Sequence, residues 1–392
     1  MSTPTQTAKR LRILLAVDSH FPGNGGTEAQ VQLLAELLQA RHHDVRILAP
    51  HLDEDRPLRE TIRGIRVERI AYPKIPLLGA IWLIAKFSFW LLRHRDAFDA
   101  VHVHMAKNLA AGAGLVQRWL RGPVMVKISG AWEFEGGVLD PALQRQPLVM
   151  LLNRCIRKVA FVQAISEKTR TILLAAGYPE AQIQMIPNAV DVSRYDAEVR
   201  MQQGDPRPKV IYVGRLQPVK GVSVLIEAWR EVAARSDARL LVVGDGPMRQ
   251  ELEAEIDRHQ LRGSVEMLGR SSEVPALLRQ ADIYVQPSFQ EGLPNAVLEA
   301  MTAELPIVAT RVSGNEDLVV DGVNGRLVAA GQAHELADAL IALIEDLPTA
   351  RRMGKASRIV IDERYSSSRV LDLLERAYGG ARVDAGIEAG AA

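Results

Sequence analysis

E-G-L-P-N-A-V-L-E, residues 291–299, sets a carboxylate on each side of a tight Gly-Leu-Pro turn that opens a helix. Gly292 admits a bend that most residues resist. Pro294 suits a first helical turn, where a missing N–H costs little. The N–H groups at such a start have no partners inside the helix and carry partial positive charge, so an anion can dock there. Glu291 falls in the loop, and Glu299 falls one to two turns inside the helix. The two can hold hydroxyl groups at opposite ends of a long polar ligand, such as a sugar joined through a diphosphate to a nucleoside. A capped surface helix with two solvated glutamates is the plainer reading of the same residues, and the motif alone leaves both open.

Around this stretch, aliphatic runs at 210–213, 240–243, 265–268, 283–286 and 307–310 predict strands, each followed by a loop and a helical pattern. An earlier series predicts strands at 11–17, 45–49, 101–104, 124–128 and 160–164, with helices at 28–40, 109–120 and 148–157. Such alternation argues for parallel sheets covered on both faces. The architecture occurs twice, divided by a turn-rich linker at 204–208, and 392 residues suit two domains. Ligands gather at the carboxyl ends of parallel strands, so a cleft between two doubly wound lobes is the expected site. Residues 367–378 predict a last helix, and the Gly/Ala-rich 379–392 a frayed end.

Apolar content of 47% and charged content of 24% are those of a globular protein. One cysteine, Cys155, excludes an internal disulfide framework and fits a reducing, cytoplasmic compartment. A small buried apolar side chain is its plainer role. The first ten residues hold no apolar core and do not read as a secretory signal. Residues 1–190 carry 24 Lys+Arg against 16 Asp+Glu, and the remainder 24 against 31. A basic first half suits an anionic membrane surface or an anionic acceptor; chance variation in surface charge is the alternative. Within it, 75–95 (I-P-L-L-G-A-I-W-L-I-A-K-F-S-F-W-L-L-R-H-R) is too short in its apolar run to span a bilayer. Its aromatics and cations read either as an interfacial helix or as a core helix whose aromatics face a sheet.

Three strand-end loops suit phosphate. In the first, Gly23 to Glu28, Glu28 stands where the dinucleotide fingerprint has its last glycine, and the P-loop lysine is missing. It still allows close backbone approach at Gly25 and Gly26. The second, G-R-L-Q-P-V-K-G from Gly214, sets Arg215 and Lys220 ahead of a helix, a two-pronged donor and a point charge for phosphate oxygens. The third, G-D-G-P from Gly244, lines a nucleotide or shapes a wall.

The series resembles the retaining nucleotide-sugar glycosyltransferases of the GT-B fold, most closely glycosyltransferase family 4. Matching pieces run in order from Gly25-Gly26 through R-H-H-D-V (41–45), V-H-V-H (101–104), A-I-S-E (164–167) and I-P-N-A-V-D (186–191). They continue through the Arg215–Lys220 loop, V-G-D-G-P, Q-P-S (286–288) and the paired glutamates. The resemblance implies an α/β GT-B fold of two doubly wound Rossmann-like lobes with an interlobe cleft. An acceptor lobe would cover 1–200 and a donor lobe 201–364. A crossover helix, 365–380, would pack back on the first lobe, and 381–392 would be a disordered tail.

It also implies roles. Arg215 and Lys220 neutralise the leaving diphosphate. Glu291, with N–H groups around Gly292, Leu293, Pro294 and Asn295, holds the donor sugar and β-phosphate. Glu299 binds ribose. Gly25, Gly26, Gly214 and Gly244 line the donor, and Leu268, Gly269 and Arg270 meet the base. One departure is that Ser129 stands where many relatives carry a histidine near the transferred sugar. Ser129, Gly130 or Glu133 would substitute there, and His104 is a further acceptor or sugar contact; packing at a strand end is the plainer reading of His102 and His104.

The implied reaction is a front-face, retaining transfer of a hexose from a nucleotide-diphosphate sugar to a lipid-linked or polysaccharide acceptor; the E-G-L-P form is compatible with a UDP-linked donor but does not encode the base. The partners are that donor, the acceptor and an anionic inner membrane face, with no nucleic acid. No cofactor or metal is implied: the nucleotide-sugar is a co-substrate, and Asp53-Glu54-Asp55, which superficially matches a metal-binding D-x-D, reads as solvated surface. Competing readings are a nucleotide-sugar epimerase or phosphorylase, and a non-catalytic nucleotide- or glycan-binding scaffold.

Overall fold

A computed structural model describes residues 10–23, 25–128, 133–134, 136–195 and 206–383. The chain forms two packed units. One runs to Ala189 and resumes at Val370; the other holds Val190–Arg369. The unit changes therefore lie at 189/190 and 369/370, beside the expected 200 and 365. Residues 204 and 205 of the expected linker lie outside the described residues, and the Pro208 carbonyl already accepts from Arg239 N–H in the second sheet.

The first unit is built from β1 (Arg12–Val17), α1 (Gly26–Ala40), β2 (Asp44–Pro50), β3 (Arg59–Ile62), β4 (Ile65–Ile70), α2 (Leu78–Arg93), β5 (Ala100–His104), α3 (Asn108–Val116), β6 (Val124–Lys127), α4 (Pro147–Ile156), β7 (Phe161–Ala164), α5 (Glu167–Ala175) and β8 (Ile183–Met185). Its strand order is β3-β4-β2-β1-β5-β6-β7-β8, parallel except for β3. The chain winds outward from β1 in one direction and restarts at β5 in the other. The loops after β1 and β5 therefore flank the switch point, where α/β sheets bind ligands.

Sequence periodicity missed the β3–β4 hairpin. Its strands, R-E-T-I and I-R-V-E-R-I, alternate charge with aliphatics, and Arg63 and Gly64 turn with φ +48° and +80°. That is the paired positive φ of a two-residue hairpin turn. Helix α2 is buried along one side only. Leu83, Phe87 and Leu91 are core, while Trp82 and Phe89 face solvent.

The second unit contains β9 (Lys209–Val213), α6 (Val222–Arg235), β10 (Arg239–Val243), α7 (Arg249–Arg258), β11 (Val265–Gly269), α8 (Val274–Gln280), β12 (Ile283–Gln286), α9 (Asn295–Thr302), β13 (Ile307–Thr310), β14 (Gly325–Val328), α10 (Ala333–Glu345) and α11 (Leu347–Val360). Its order is β11-β10-β9-β12-β13-β14, all parallel, with the switch between β9 and β12. The Arg215–Lys220 loop follows β9 and the Glu291 loop follows β12, so the topology sets them side by side.

The last helix, α12 (Ser367–Tyr378), joins the first unit from Val370 onward. Arg41 bonds Asp372 at 2.6 Å and Glu375 at 3.0 Å. His43 Nδ1 accepts from Leu11 N–H at 3.1 Å, and its Nε2 lies 3.1 Å from Glu375. The Tyr378 hydroxyl lies 2.8 Å from His102 Nδ1. The expected fraying does not hold up to residue 383: Val383 is buried, and its N–H donates to Gln184 Oε1 at 2.6 Å. Residues 384–392 lie outside the described residues.

Candidate donor site at the second switch point

Backbone packing builds this site first. Gly244 has φ +139°, and a Cβ there would fall 1.8 Å from Gly214 O, so the loops after β9 and β10 touch backbone to backbone. Gly221, at φ +65°, likewise lets the β9 loop press on Pro287 O. Phe289 N–H then donates to Val219 O at 2.8 Å, tying that loop to the one after β12.

The tie delivers a cation to a carboxylate. Lys220 Nζ donates to Glu291 Oε1 at 2.8 Å and Oε2 at 2.9 Å. Glu291 is buried, and its Oε1 also accepts from Gln286 Nε2 at 2.7 Å and Ser288 Oγ at 2.6 Å. Gln286 is itself held by the Tyr284 hydroxyl, which donates to Gln286 Oε1 at 2.6 Å. Ser313 Oγ donates to the Glu291 carbonyl at 3.0 Å, fixing the backbone as well. A buried carboxylate needs such donors to keep its charge. Gln286, Ser288 and Tyr284 escaped the sequence reading as site residues; Q-P-S was visible only as a motif piece, and neutral side chains at a strand end give no other signal.

Arg215 is exposed, and among the described residues its guanidinium bridges no carboxylate. The site thus offers one uncommitted cation and one already paired. Leu293 and Pro294 are buried, Gly292 and Asn295 half-buried, and α9 opens at Asn295 without a side-chain cap. Glu299, half-buried on α9, has its carboxyl pushed up to about 7 by burial, with Arg194 opposing. Gly269 N-terminal to Arg270 ends β11, and its carbonyl accepts from Gly244 N–H at 2.7 Å. Arg270 lies 3.7 Å from Asp245. Leu268 to Arg270, the expected base contacts, therefore adjoin the Gly244 loop.

In the first unit, Gly25 precedes α1, and a Cβ there would meet Glu28 Oε2 at 2.2 Å. His104 is buried at the end of β5, stacked 4.3 Å from His102, and neither of its ring nitrogens finds a partner among the described residues. Burial holds its pKa well below the usual value, with His102 and Lys127 adding to the effect. Glu133 is also buried, while Ser129 and Gly130 lie outside the described residues. Lys127, beside His104 in the β5–β6 register, is buried; desolvation pushes it down to about 7 and the Glu133 charge opposes this. A lysine closing an aliphatic strand was the signal available for it.

Among the described residues no group of three or more His, Cys, Asp or Glu could hold a metal ion. Glu54 of the acidic triplet instead pairs with Lys74 at 2.9 Å. Cys155 is free and buried.

Two Rossmann-like units, the second with a cation–carboxylate pair at its strand switch, are the architecture of the GT-B class. Comparison with known proteins agrees. Residues 25–189 match the glycosyl transferase 4-like domain, and residues 197–360 match glycosyl transferases group 1. The 2-deoxystreptamine glucosyltransferase of Streptomyces kanamyceticus is 30% identical over 308 residues, 72% of this chain and 79% of the relative. Alpha-D-kanosaminyltransferase from the same organism is 29% identical over 379 residues, 89% and 98%. Phosphatidyl-myo-inositol mannosyltransferase of Mycolicibacterium smegmatis is 28% identical over 384 residues, 94% and 93%. Among solved structures, Anabaena HepE in complex with UDP aligns with TM-score 0.75 at 21% identity, covering 95% of this chain and 100% of that one. Sucrose-phosphate synthase from Thermosynechococcus elongatus aligns with TM-score 0.79 at 20% identity, covering 94% and 98%. The chain belongs to the GT-B glycosyltransferases of the family 4 kind.

Proposed function

We propose that the protein transfers a hexose from a UDP-linked donor to a lipid-linked or polysaccharide acceptor, with retention at the anomeric carbon, in envelope or exopolysaccharide synthesis. It would work in the cytoplasm, in peripheral contact with the anionic inner face of the cell membrane. The observation that carries the reading is the contact of Lys220 with a Glu291 that Gln286 and Ser288 also hold. Solved relatives with bound UDP and UDP-glucose, and relatives named for transfer to diphosphoundecaprenol-linked sugar and to phosphatidylinositol, support the choice of donor and acceptor.

In this reading the diphosphate lies against Arg215, Lys220 and the start of α9, and Glu299 accepts ribose hydroxyls. As the donor C–O bond breaks, positive charge grows on the sugar and negative charge on the diphosphate. Fixed cations and N–H groups that meet the departing charge lower the barrier. Lys220 turns from Glu291 toward phosphate, and Gln286 and Ser288 keep Glu291 in place for the sugar. The acceptor hydroxyl attacks from the face the diphosphate leaves and passes its proton to a leaving-group oxygen. Arg215 and Lys220 supply the countercharge, so EDTA leaves the rate unchanged. A panel of UDP- and GDP-linked sugars, with products analysed by mass and anomeric coupling constants, tests the proposal. An inverted product overturns the retaining route, and no transfer from any UDP-sugar overturns the donor.

A further inference from the structure

Helices α2, α3 and α4 form one contiguous layer of the first unit, α2 packing on α3 and α3 on α4. Their inner sides are core: Leu83 and Phe87 are buried, and α3 is buried almost throughout. The outer sides of α2 and α4 are apolar too. Trp82 and Phe89 of α2 are 48% and 68% exposed. Leu115 and Trp119 at the end of α3, and Leu148 and Leu151 of α4, also face solvent. Several large apolar side chains exposed on neighbouring helices point to an interaction site.

Charge identifies the partner. The three helices, with the short turn Gln117–Trp119 after α3, carry Lys86, Arg93, Arg118 and Arg154 and not one carboxylate. Two of the cations lie over exposed tryptophans, Arg118 3.9 Å from the Trp119 ring and Lys86 5.8 Å from that of Trp82. Tryptophan beside a cation suits the headgroup level of a bilayer, where one end is apolar and the other wet. A second copy fits badly, because self-pairing would bring two such cationic faces together. Among the described residues no helix is long and apolar enough to cross a membrane.

We infer that this three-helix face seats the protein on an anionic lipid surface, the helices lying along the interface. It specifies the surface for the membrane contact proposed above, and it stands on exposed residues that take no part in donor binding.

Flotation of the full chain with phosphatidylcholine vesicles, with and without phosphatidylglycerol, tests it. Binding is expected only with phosphatidylglycerol and weakens with salt. Two variants divide the face: Trp82→Ser with Phe89→Ser on α2, and Leu148→Ser with Leu151→Ser on α4. Each pair should lower partitioning roughly tenfold or more, through two lost apolar anchors. Melting temperature and UDP affinity should hold, because the side chains already face water. Wild-type partitioning by the α4 pair overturns the three-helix face, and equal recovery on neutral and anionic vesicles overturns the role of charge. A solution dimer that either pair dissociates gives the face to a second copy and overturns the inference. Failure of the wild type to bind UDP would instead count against the transfer reading and leave this one standing.

Discussion

The strand ends of the two units are furnished in opposite ways. In the second, the buried Glu291 carboxylate takes donors from Lys220, Gln286 and Ser288, and Gln286 is held in turn by Tyr284. In the first, His104 is buried with neither ring nitrogen bonded among the described residues, and Lys127 is buried beside it. Buried polar groups in folded proteins normally have partners. A satisfied cluster is built before any ligand arrives, whereas an unsatisfied one draws its partner from water or ligand. The difference fits a second unit whose polar cluster is built in advance and a first unit whose buried groups are completed by water or ligand.

The largest expected effect breaks the donor side. Arg215→Ala or Lys220→Ala should lower turnover by roughly 10²–10³, the scale for lost charge-stabilising donors. Near-wild-type transfer by either variant in a steady-state assay removes the assignment. Ser288→Ala takes away one of the donors to Glu291 Oε1. A hydrogen bond to a charged group is worth about 1.5–3 kcal/mol, so a loss of roughly tenfold or more in kcat/KM is expected, with Ser288→Thr restoring part of it. An unchanged kcat/KM would make Ser288 a packing residue.

The same contrast explains what was legible in the sequence. Arg215, Lys220 and Glu291 stand in Gly/Pro-punctuated loops after aliphatic strands, so residue type and position both pointed to them. That Lys220 and Glu291 touch depends on β9 lying beside β12, a pairing of strands some seventy residues apart that periodicity does not carry. Gln286 and Ser288 look like the polar end of any strand. The β3–β4 hairpin was hidden because charged residues occupy its outer face, and β8 because it is three residues long. Glu299 was visible as an acid on a helix, but its perturbation comes from tertiary burial.

That perturbation gives a test within the donor side. Ribose hydroxyls donate to a carboxylate better than to a carboxylic acid. With Glu299 pushed up to about 7, it is mostly ionised at pH 8 and mostly protonated at pH 6. UDP affinity should therefore fall about tenfold from pH 8 to pH 6, the ionised fraction setting the ratio. Titration calorimetry on the wild type and on Glu299→Gln checks it, and the variant should bind weakly with a flat profile across that range. A wild-type affinity that does not change with pH would take Glu299 out of the ribose site.

The smallest expected effect lies in the first unit. Lys127 is pushed down from its ordinary 10.5 to about 7 by burial. A base whose folded-state pKa is depressed binds its proton more readily in the unfolded chain. Between about pH 7 and 10 the unfolded state then holds more protons, so stability should rise with pH across that window. Lys127→Met removes the linkage while keeping most of the side-chain volume. The variant should melt roughly 2–4 °C higher at pH 7, the shift for about 1 kcal/mol in a domain of this size, and its melting temperature should depend less on pH up to 10. A lower melting temperature at pH 7 would mean that the ammonium is held by more than the charge of Glu133. The first unit would then be as preorganised as the second, and the contrast between them would fail.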